Sequence, residues 1–459
     1  MLELEGVHVS PMTAPKSLKR LVLPLKDRVA QSMVTLRVRT RRVMRCASPS
    51  ARMRNRAIAL LRAVALEDRF RQAHVALTYH KSENVSIDAI LLGGENGLPG
   101  ARYAEMTHDP LRTSRFFADG PHVALLRAFG CCALAEVSDD ALLESPYGRN
   151  ADLCLTSTGN YFDATDRKDI PRVIRRFLQS AESMAEYAVD RPISSSSSEL
   201  PILVRPIVST DLYQVVDGNH RLARAVWRAN TVVSVRVHRR STRTAAQERL
   251  RDMSWVRGSE ELYQPVPLPE LSAWPLVRRC DDRLRMMTTF LADDTRLSYL
   301  DLASFFGWFV ARMRDRGHLA HGVELDPRAV EFGNLVYELP DDAVAVGDVV
   351  DFLTAEPTFD VVSCFSLMHH FALGRGRVSA EELLELIDRS CRRVLFFDTG
   401  QATERWFRDL LPDWTPEYIE KWLLTNSSFT SVNALGTDED GVGNYAGNYG
   451  RTLFACTRD

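Results

Sequence analysis

From residue 297 onward the chain alternates short apolar runs with amphipathic stretches, and few architectures accept that pattern. LSYLDLA (297–303), LAHGVEL (319–325), AVAVGD (343–348), FDVVSCF (359–365) and RVLFFD (393–398) read as strands. WFVARMRD (308–315), 327–337 and 379–390 carry apolar residues at helical spacing between them. Apolar strands separated by helices predict a parallel sheet with helices on both faces. The last two runs, FTSVNALGT (429–437) and RTLFACTR (451–458), are joined by a Gly/Asn-rich loop and predict a closing hairpin.

The chain has 459 residues, enough for two domains of ordinary size. Apolar residues recur at three- and four-residue spacings through 121–189, and SSSSS at 194–198 then breaks the pattern as a flexible loop. ILVRPI (202–207) and LYQVV (212–216) read as strands, 219–229 as a helix and TVVSVRVHR (231–239) as a further strand. Residues 241–285 are charged and helical at first, then proline-rich (YQPVPLPELSAWP). The expected organisation is a basic leader and helix over 1–75, a small α+β domain over 76–240, a linker over 241–274 and a larger α/β domain over 275–459.

With 45% hydrophobic and 26% charged residues, a wholly disordered or fibrous chain is excluded. No run approaches the roughly 18 to 20 apolar residues of a membrane helix, and the acidic start MLELEG is not that of a signal peptide. The expectation is a cytoplasmic protein with no membrane partner. Eight cysteines without a CxxC argue for reduced thiols, with no structural metal site expected. Only six of the 58 basic residues are lysine, an imbalance that reads as the nucleotide composition of the coding DNA rather than as function. Residues 1–75 hold 16 Lys/Arg against 5 Asp/Glu, the remainder 42 against 55. Clusters such as RVRTRRVMR (37–45) suit nucleic-acid or membrane phosphates. No aromatic residue precedes Phe70 to stack on bases, so a solvated leader ending in a helix near 51–77 that docks on the acidic body is the favoured reading.

In a doubly wound sheet the ligand lies beyond the C-terminal strand ends, where the first strand turns into its helix. That turn is DLASFFGWF, Asp301 to Phe309, and the GxGxxG of a dinucleotide site is absent. Glu324 ends the second strand 23 residues after Asp301, suitably placed to accept hydrogen bonds from ribose hydroxyls. Asp348 ends the third strand, and His369 and His370 follow the fourth. An imidazole titrating near neutrality there would serve as a base. It would equally serve as a helix cap or a packing residue. Asp398 and Thr399, after the fifth strand, are second-tier candidates, and Phe305, Phe306 and Trp308 read as pocket wall or core.

This series over 275–459 resembles the class I S-adenosylmethionine-dependent methyltransferases, whose pattern is strand–DxGxGxG–helix, an acidic end to strand two, an Asp ending strand three and an FDxV-like strand four. The resemblance implies a Rossmann-like, doubly wound, seven-stranded sheet with a reversed last strand. It implies S-adenosyl-L-methionine as cofactor, with Asp301, Ala303 and Gly307 against the methionine moiety, Glu324 on the ribose, Asp348 with Val349 framing the adenine, and His369 and His370 on the substrate side. Two of the three motif glycines are replaced, by Ala303 and Phe305. An alanine costs little there if its φ is negative, whereas Phe305 must point away from the cofactor or fill its space. Some chains similar to the tRNA wobble-uridine methyltransferases also keep only the last glycine after Asp-x-Ala-Ser.

LYQVVDGNHRLARAVWRA predicts a strand, a tight Asp217–Gly218 turn and a helix that Asn219 can cap, with His220 and Arg221 in its first turn. Free N–H groups and Arg221 there make an anion site suited to phosphate. A DG turn whose His/Arg pair merely staples the helix is the alternative. The segment resembles the ParB/sulfiredoxin-like nucleotide-binding fold, which implies ATP or CTP as possible ligands at Asp217, Gly218, Asn219, His220 and Arg221. Position 219 is Asn where sulfiredoxin has its catalytic cysteine, which disfavours sulfinic-acid reduction. The reading is a methyltransferase acting on an O or N acceptor: a small molecule, a glycan or a tRNA. The alternative is a nucleotide-dependent phosphotransferase or nucleotide sensor working through the DGNHR turn, with a degenerate methyltransferase domain.

Overall fold

The computed structural model describes residues 75–185, 201–254, 258–292, 294–439 and 450–458. The basic leader, its helix up to residue 74, the serine run at 194–198 and residues 440–449 of the Gly/Asn-rich loop lie outside these residues. Among the described residues, twelve strands fall into two sheets. The first is built from β1 (Tyr79–Ser86), β2 (Ile90–Leu91), β3 (Ile202–Pro206), β4 (Tyr213–Asp217) and β5 (Val232–His238), in the order β1-β5-β3-β4-β2. The sheet is mixed: β3 pairs parallel to β5 and antiparallel to β4, and β2 pairs parallel to β4. Helices Pro121–Phe129, Pro146–Thr158, Ile170–Ala185 and Asn219–Trp227 close one core with it, around Leu125, Tyr147, Ile174, Val204 and Val235.

The second sheet is β6 (Ser298–Leu302), β7 (Leu319–Glu324), β8 (Val344–Val346), β9 (Phe359–Cys364), β10 (Cys391–Phe397), β11 (Ser431–Thr437) and β12 (Thr452–Thr457). Its order is β11-β12-β10-β9-β6-β7-β8. The five strands from β6 to β10 run parallel, and β12 enters antiparallel between β10 and β11. This is a Rossmann-like, doubly wound seven-stranded α/β sheet. The period-two rule distributes its residues. Leu300, Leu302, Val362 and Phe397 face the core under helices Ala380–Ser390 and Pro416–Asn426, while Tyr299, Val361 and Phe396 face helices Asp281–Leu291 and Trp308–Asp315.

Between the sheets the chain forms helix Ala245–Met253, capped by a Thr244–Gln247 capping box. A further apolar cluster joins Leu111 and Leu250 to Phe306 and Phe332 of the second sheet's helical layer. The strand order changes direction between β6 and β9, so the crevice beyond their C-terminal ends is the topological switch point. Among the described residues, no helix is long and apolar enough to cross a membrane.

Candidate functional site

The turn leaving β6 carries the glycine-rich loop's shape with only one of its glycines, Gly307. Ala303 (φ 55°), Phe305 (φ 53°) and Gly307 (φ 76°) are all left-handed, and so is Ser366 (φ 56°) just after β9. The premise that alanine costs little at 303 therefore does not hold, because its φ is positive. A left-handed non-glycine residue costs roughly 1–2 kcal/mol, and such strain collects at functional sites. Gly307 is required in another sense: a Cβ there would approach Leu339 and Val344 at 3.1 Å. The Phe305 ring packs edge-on against Tyr263 at 5.6 Å and beside Phe306 at 3.9 Å.

Asp301 is buried at the base of this turn and lines the crevice. Ser363 of β9 donates to its Oδ1 at 2.6 Å, so the Tyr299 hydroxyl, 2.6 Å from Ser363, is the donor to that serine. Burial pushes the Asp301 carboxyl up to about 7, against the Ser363 hydrogen bond and Arg283. Glu324, half-buried at the end of β7, braces the same loop: one carboxylate oxygen accepts from Phe305 N at 2.9 Å and the other from Asp326 N at 2.9 Å. Asp348 caps helix Val349–Thr354 through Val350 N and pairs with Arg377 at 3.0 Å, and Val349 is buried beneath it.

His369 and His370 open the short helix Met368–Ala372 after β9. His369 is buried, its Nδ1 accepts from Gly400 N at 3.2 Å, and its ring packs on Phe407 at 4.7 Å. Burial, helped by Arg451 and His370, holds its pKa at about 2. The His369 imidazole is thus held neutral and packed, where a base there calls for one titrating near neutrality. His370 is half-buried and also lowered, by burial and then Arg375 and Arg451. Asp398 sits under the crevice between two arginines, accepting from Arg283 at 3.0 Å and lying 3.5 Å from Arg451. Although burial opposes it, Arg283, Arg451 and Arg278 keep its carboxylate ionised below the ordinary range. Arg451 also pairs with Glu404 at 2.7 Å and donates to Ser366 Oγ at 2.7 Å. Thr399 is buried beside this network.

Sequence reasoning did not single out Arg283, Arg451, Tyr263 or Gln264. Arg283 was findable: it shares the buried stripe of its helix with Met287 and Leu291, where an arginine is out of place unless paired. Gln264 had no such signal. It is buried and bridges the loop, donating to Ser304 O at 3.3 Å and accepting from Phe306 N at 3.3 Å. Tyr263 and Gln264 line the crevice with Asp301, Ala303, Phe365 and Ser366, leaving a cavity of about 70 Å³. Ligand pockets run from about 300 Å³ upward. The donor set (a carboxylate at each of the first two strand ends, backbone of a left-handed loop) fits an adenosyl cofactor in kind. The volume of the crevice as it stands does not admit one, with Tyr263 and Gln264 among its walls.

In the first sheet, Asp217 ends β4 and Gly218 (φ 102°) starts helix Asn219–Trp227 without a side-chain cap, so Asn219 is a helix residue and not the cap expected. Asn219 Nδ2 donates to Gly94 O at 3.3 Å instead. His220 lies between Phe177 at 4.0 Å and Phe162 at 5.0 Å. Tyr161 donates to Tyr147, whose hydroxyl lies 2.7 Å from His220 Nε2. Burial, then His122 and nearby arginines, hold His220 neutral, well below its usual range. The Arg221 guanidinium folds back over Gly218, 3.0 Å from where a Cβ would stand. His220 staples the helix to an aromatic cage.

No protein-family profile matches the chain, and no curated protein matches it in sequence. Solved structures similar to it include WbdD, described as a bifunctional kinase-methyltransferase, at 19% identity and TM-score 0.36, over 43% of this chain and 44% of that one. Another is magnesium protoporphyrin IX methyltransferase (ChlM) from Synechocystis PCC 6803 with bound SAH, at 14% identity and TM-score 0.31, over 39% of this chain and 81% of that one. EvdMO1 follows at 19% identity and TM-score 0.27, over 39% of this chain and 40% of that one. The chain spans less than half the length of WbdD.

Proposed function

We propose that the chain is an S-adenosylmethionine-dependent methyltransferase acting on an O or N acceptor, with its cofactor at the C-terminal ends of β6 and β7. The observation that carries the reading is the loop after β6. It keeps three left-handed residues at alternate positions, although only Gly307 is a glycine. Strain retained at the switch point of a doubly wound sheet is what a backbone-lined ligand site requires. In this reading Asp301, Ala303 and Gly307 border the methionine end, Glu324 accepts from the ribose hydroxyls, and Asp348 with Val349 flanks the adenine. When bound, the cofactor supplies a methyl group on a sulfonium, open to in-line displacement. The chain's own contribution is orientation and exclusion of water, through Phe309, Phe365 and the buried Arg283–Asp398 pair. His369 and His370 stand on the acceptor side in this reading, and His370, the less buried of the two, has the access to take an acceptor's proton.

The acceptor remains a small molecule, a glycan or a tRNA in this proposal. For residues 76–240 a ParB/sulfiredoxin-like domain is the matching proposal. Nucleotide binding at the 217–221 turn draws support from its uncapped helix start, but not from His220, whose ring is committed to packing. The test is calorimetric titration with S-adenosylhomocysteine. Glu324→Ala is expected to weaken binding by about 1–3 kcal/mol, the scale of hydrogen bonds to a charged acceptor. Unchanged affinity in a folded variant contradicts the assignment.

A further inference from the structure

The first sheet's helical layer holds an open cavity of about 320 Å³ lined by Arg112, Arg115, Arg149, Asn150 and Asp119, with Leu92 as its apolar wall and no lining residue from the 217–221 turn. Three guanidinium groups line it with the Asp119 carboxylate, and Arg112 and Arg115 also have Glu95 and Asp109 beside them. Helix Pro121–Phe129 starts at its edge from Gly120, which brings no side-chain oxygen to the N–H groups of His122 and Val123 in the first turn. Glycine is enforced there by the wall itself: a Cβ would stand 2.6 Å from Leu92 Cδ2 and 3.0 Å from Phe117 O.

The second, independent observation is Asn150, only 5% exposed. Its Oδ1 accepts from Tyr103 Oη at 2.8 Å and from Arg112 at 2.6 Å. Arginine can only donate, so the amide orientation is fixed, and Nδ2 is left as a buried donor with no hydrogen-bond partner among the described residues. Arg112 Nε is in the same state. The guanidinium of Arg112 is held over the Tyr103 ring at 4.3 Å, with Glu95 4.0 Å away, so its position is set before any ligand arrives. Arg149 is aimed by its Nε donating to Glu144 O at 2.9 Å, and Arg115 pairs with Asp109 at 2.8 Å. Buried orphan donors beside pre-positioned guanidinium groups are complementary to an anion with several acceptor oxygens.

We propose that this cavity binds the phosphate of a small phosphorylated ligand, at a site separate from the 217–221 turn. Arg112, Arg149 and Asn150 Nδ2 hold the phosphate oxygens, and the first turn of helix Pro121–Phe129 contributes its N–H groups and positive dipole end. Leu92 lies against the ligand's carbon part.

The test is titration of the full chain with inorganic phosphate and with glycerol 3-phosphate, at ionic strength held constant with sodium chloride. Saturable binding in the millimolar range or tighter is expected, with glycerol 3-phosphate the better ligand. The exposed pair Arg115→Ala/Arg149→Ala, which leaves the core intact, is expected to weaken both about tenfold or more. Arg221→Ala is expected to leave both unchanged. No saturable binding, or binding untouched by the double substitution, overturns the proposal. Loss of binding in Arg221→Ala alone overturns it too, by moving the anion to the other turn.

Discussion

Two residues concentrate the chemistry of the crevice, and each makes a prediction. Ala303 holds φ 55° where glycine would be unstrained. Ala303→Gly removes roughly 1–2 kcal/mol of left-handed strain and returns about 0.5–1 kcal/mol of it as chain entropy, so the variant is expected to be slightly more stable in urea unfolding. A loss of stability would mean that the methyl group packs more than the backbone strains. Asp301 gives a pH signature. Its carboxyl is raised to about 7 in the fold, against about 3.9 in an unfolded chain. Between these values the unfolded state has released the proton and the folded state keeps it. Stability from this group is therefore full below about pH 4 and falls as pH rises to about 7, by up to about 4 kcal/mol. Asp301→Asn, still able to accept from Ser363, is expected to gain stability relative to wild type over that interval. A difference that is flat with pH would show that the carboxyl ionises normally.

At the scale of elements, periodicity made the second sheet legible. All seven strands lie where the apolar runs predict them, and the last two form an antiparallel hairpin pair. The helix read at 327–337 is Pro327–Tyr337. The first sheet was only partly legible. β1 reads YHKSENVS, an edge strand with exposed residues through most of its length, so no alternation announces it, and β2 has two residues. The site shows the same divide. Motif spacing brought out Asp301, Glu324 and Asp348, because strand ends are periodic. Gln264 comes from an irregular proline-rich segment whose path only tertiary packing decides. That segment carries its own prediction. Gln264 spends two hydrogen bonds holding the loop closed over a cavity too small for an adenosyl group. Gln264→Ala is expected to raise S-adenosylhomocysteine affinity about 5- to 30-fold by relieving the closed state of roughly 1–2 kcal/mol. Weaker binding in the variant would instead make Gln264 part of the ligand's own contact set.

Across the whole molecule, one buried carboxylate ties the first half to the segment that connects the two sheets. Glu270 is fully buried, accepts from Thr244 at 2.8 Å, and bonds Ser114 of the first half. Gln247 donates to its backbone oxygen at 3.1 Å, and Arg249 reaches Glu331 across the same joint. Glu270→Ala leaves the Ser114 and Thr244 hydroxyls without that acceptor and is expected to cost about 1–3 kcal/mol. Scanning calorimetry is expected to show one transition in the wild type and two in the variant. A single, uniformly shifted transition would place the coupling in the apolar cluster around Leu111, Leu250 and Phe306.

An adenosyl cofactor in the crevice after β6 and β7, as proposed, is located most directly by hydrogen exchange read by mass spectrometry. With saturating S-adenosylhomocysteine, peptides over 299–309 and 322–326 are predicted to gain protection, while 262–266 changes its exchange as the segment leaves the loop. Unaltered exchange over 299–309 and 322–326, or protection confined to the first sheet, would contradict the account.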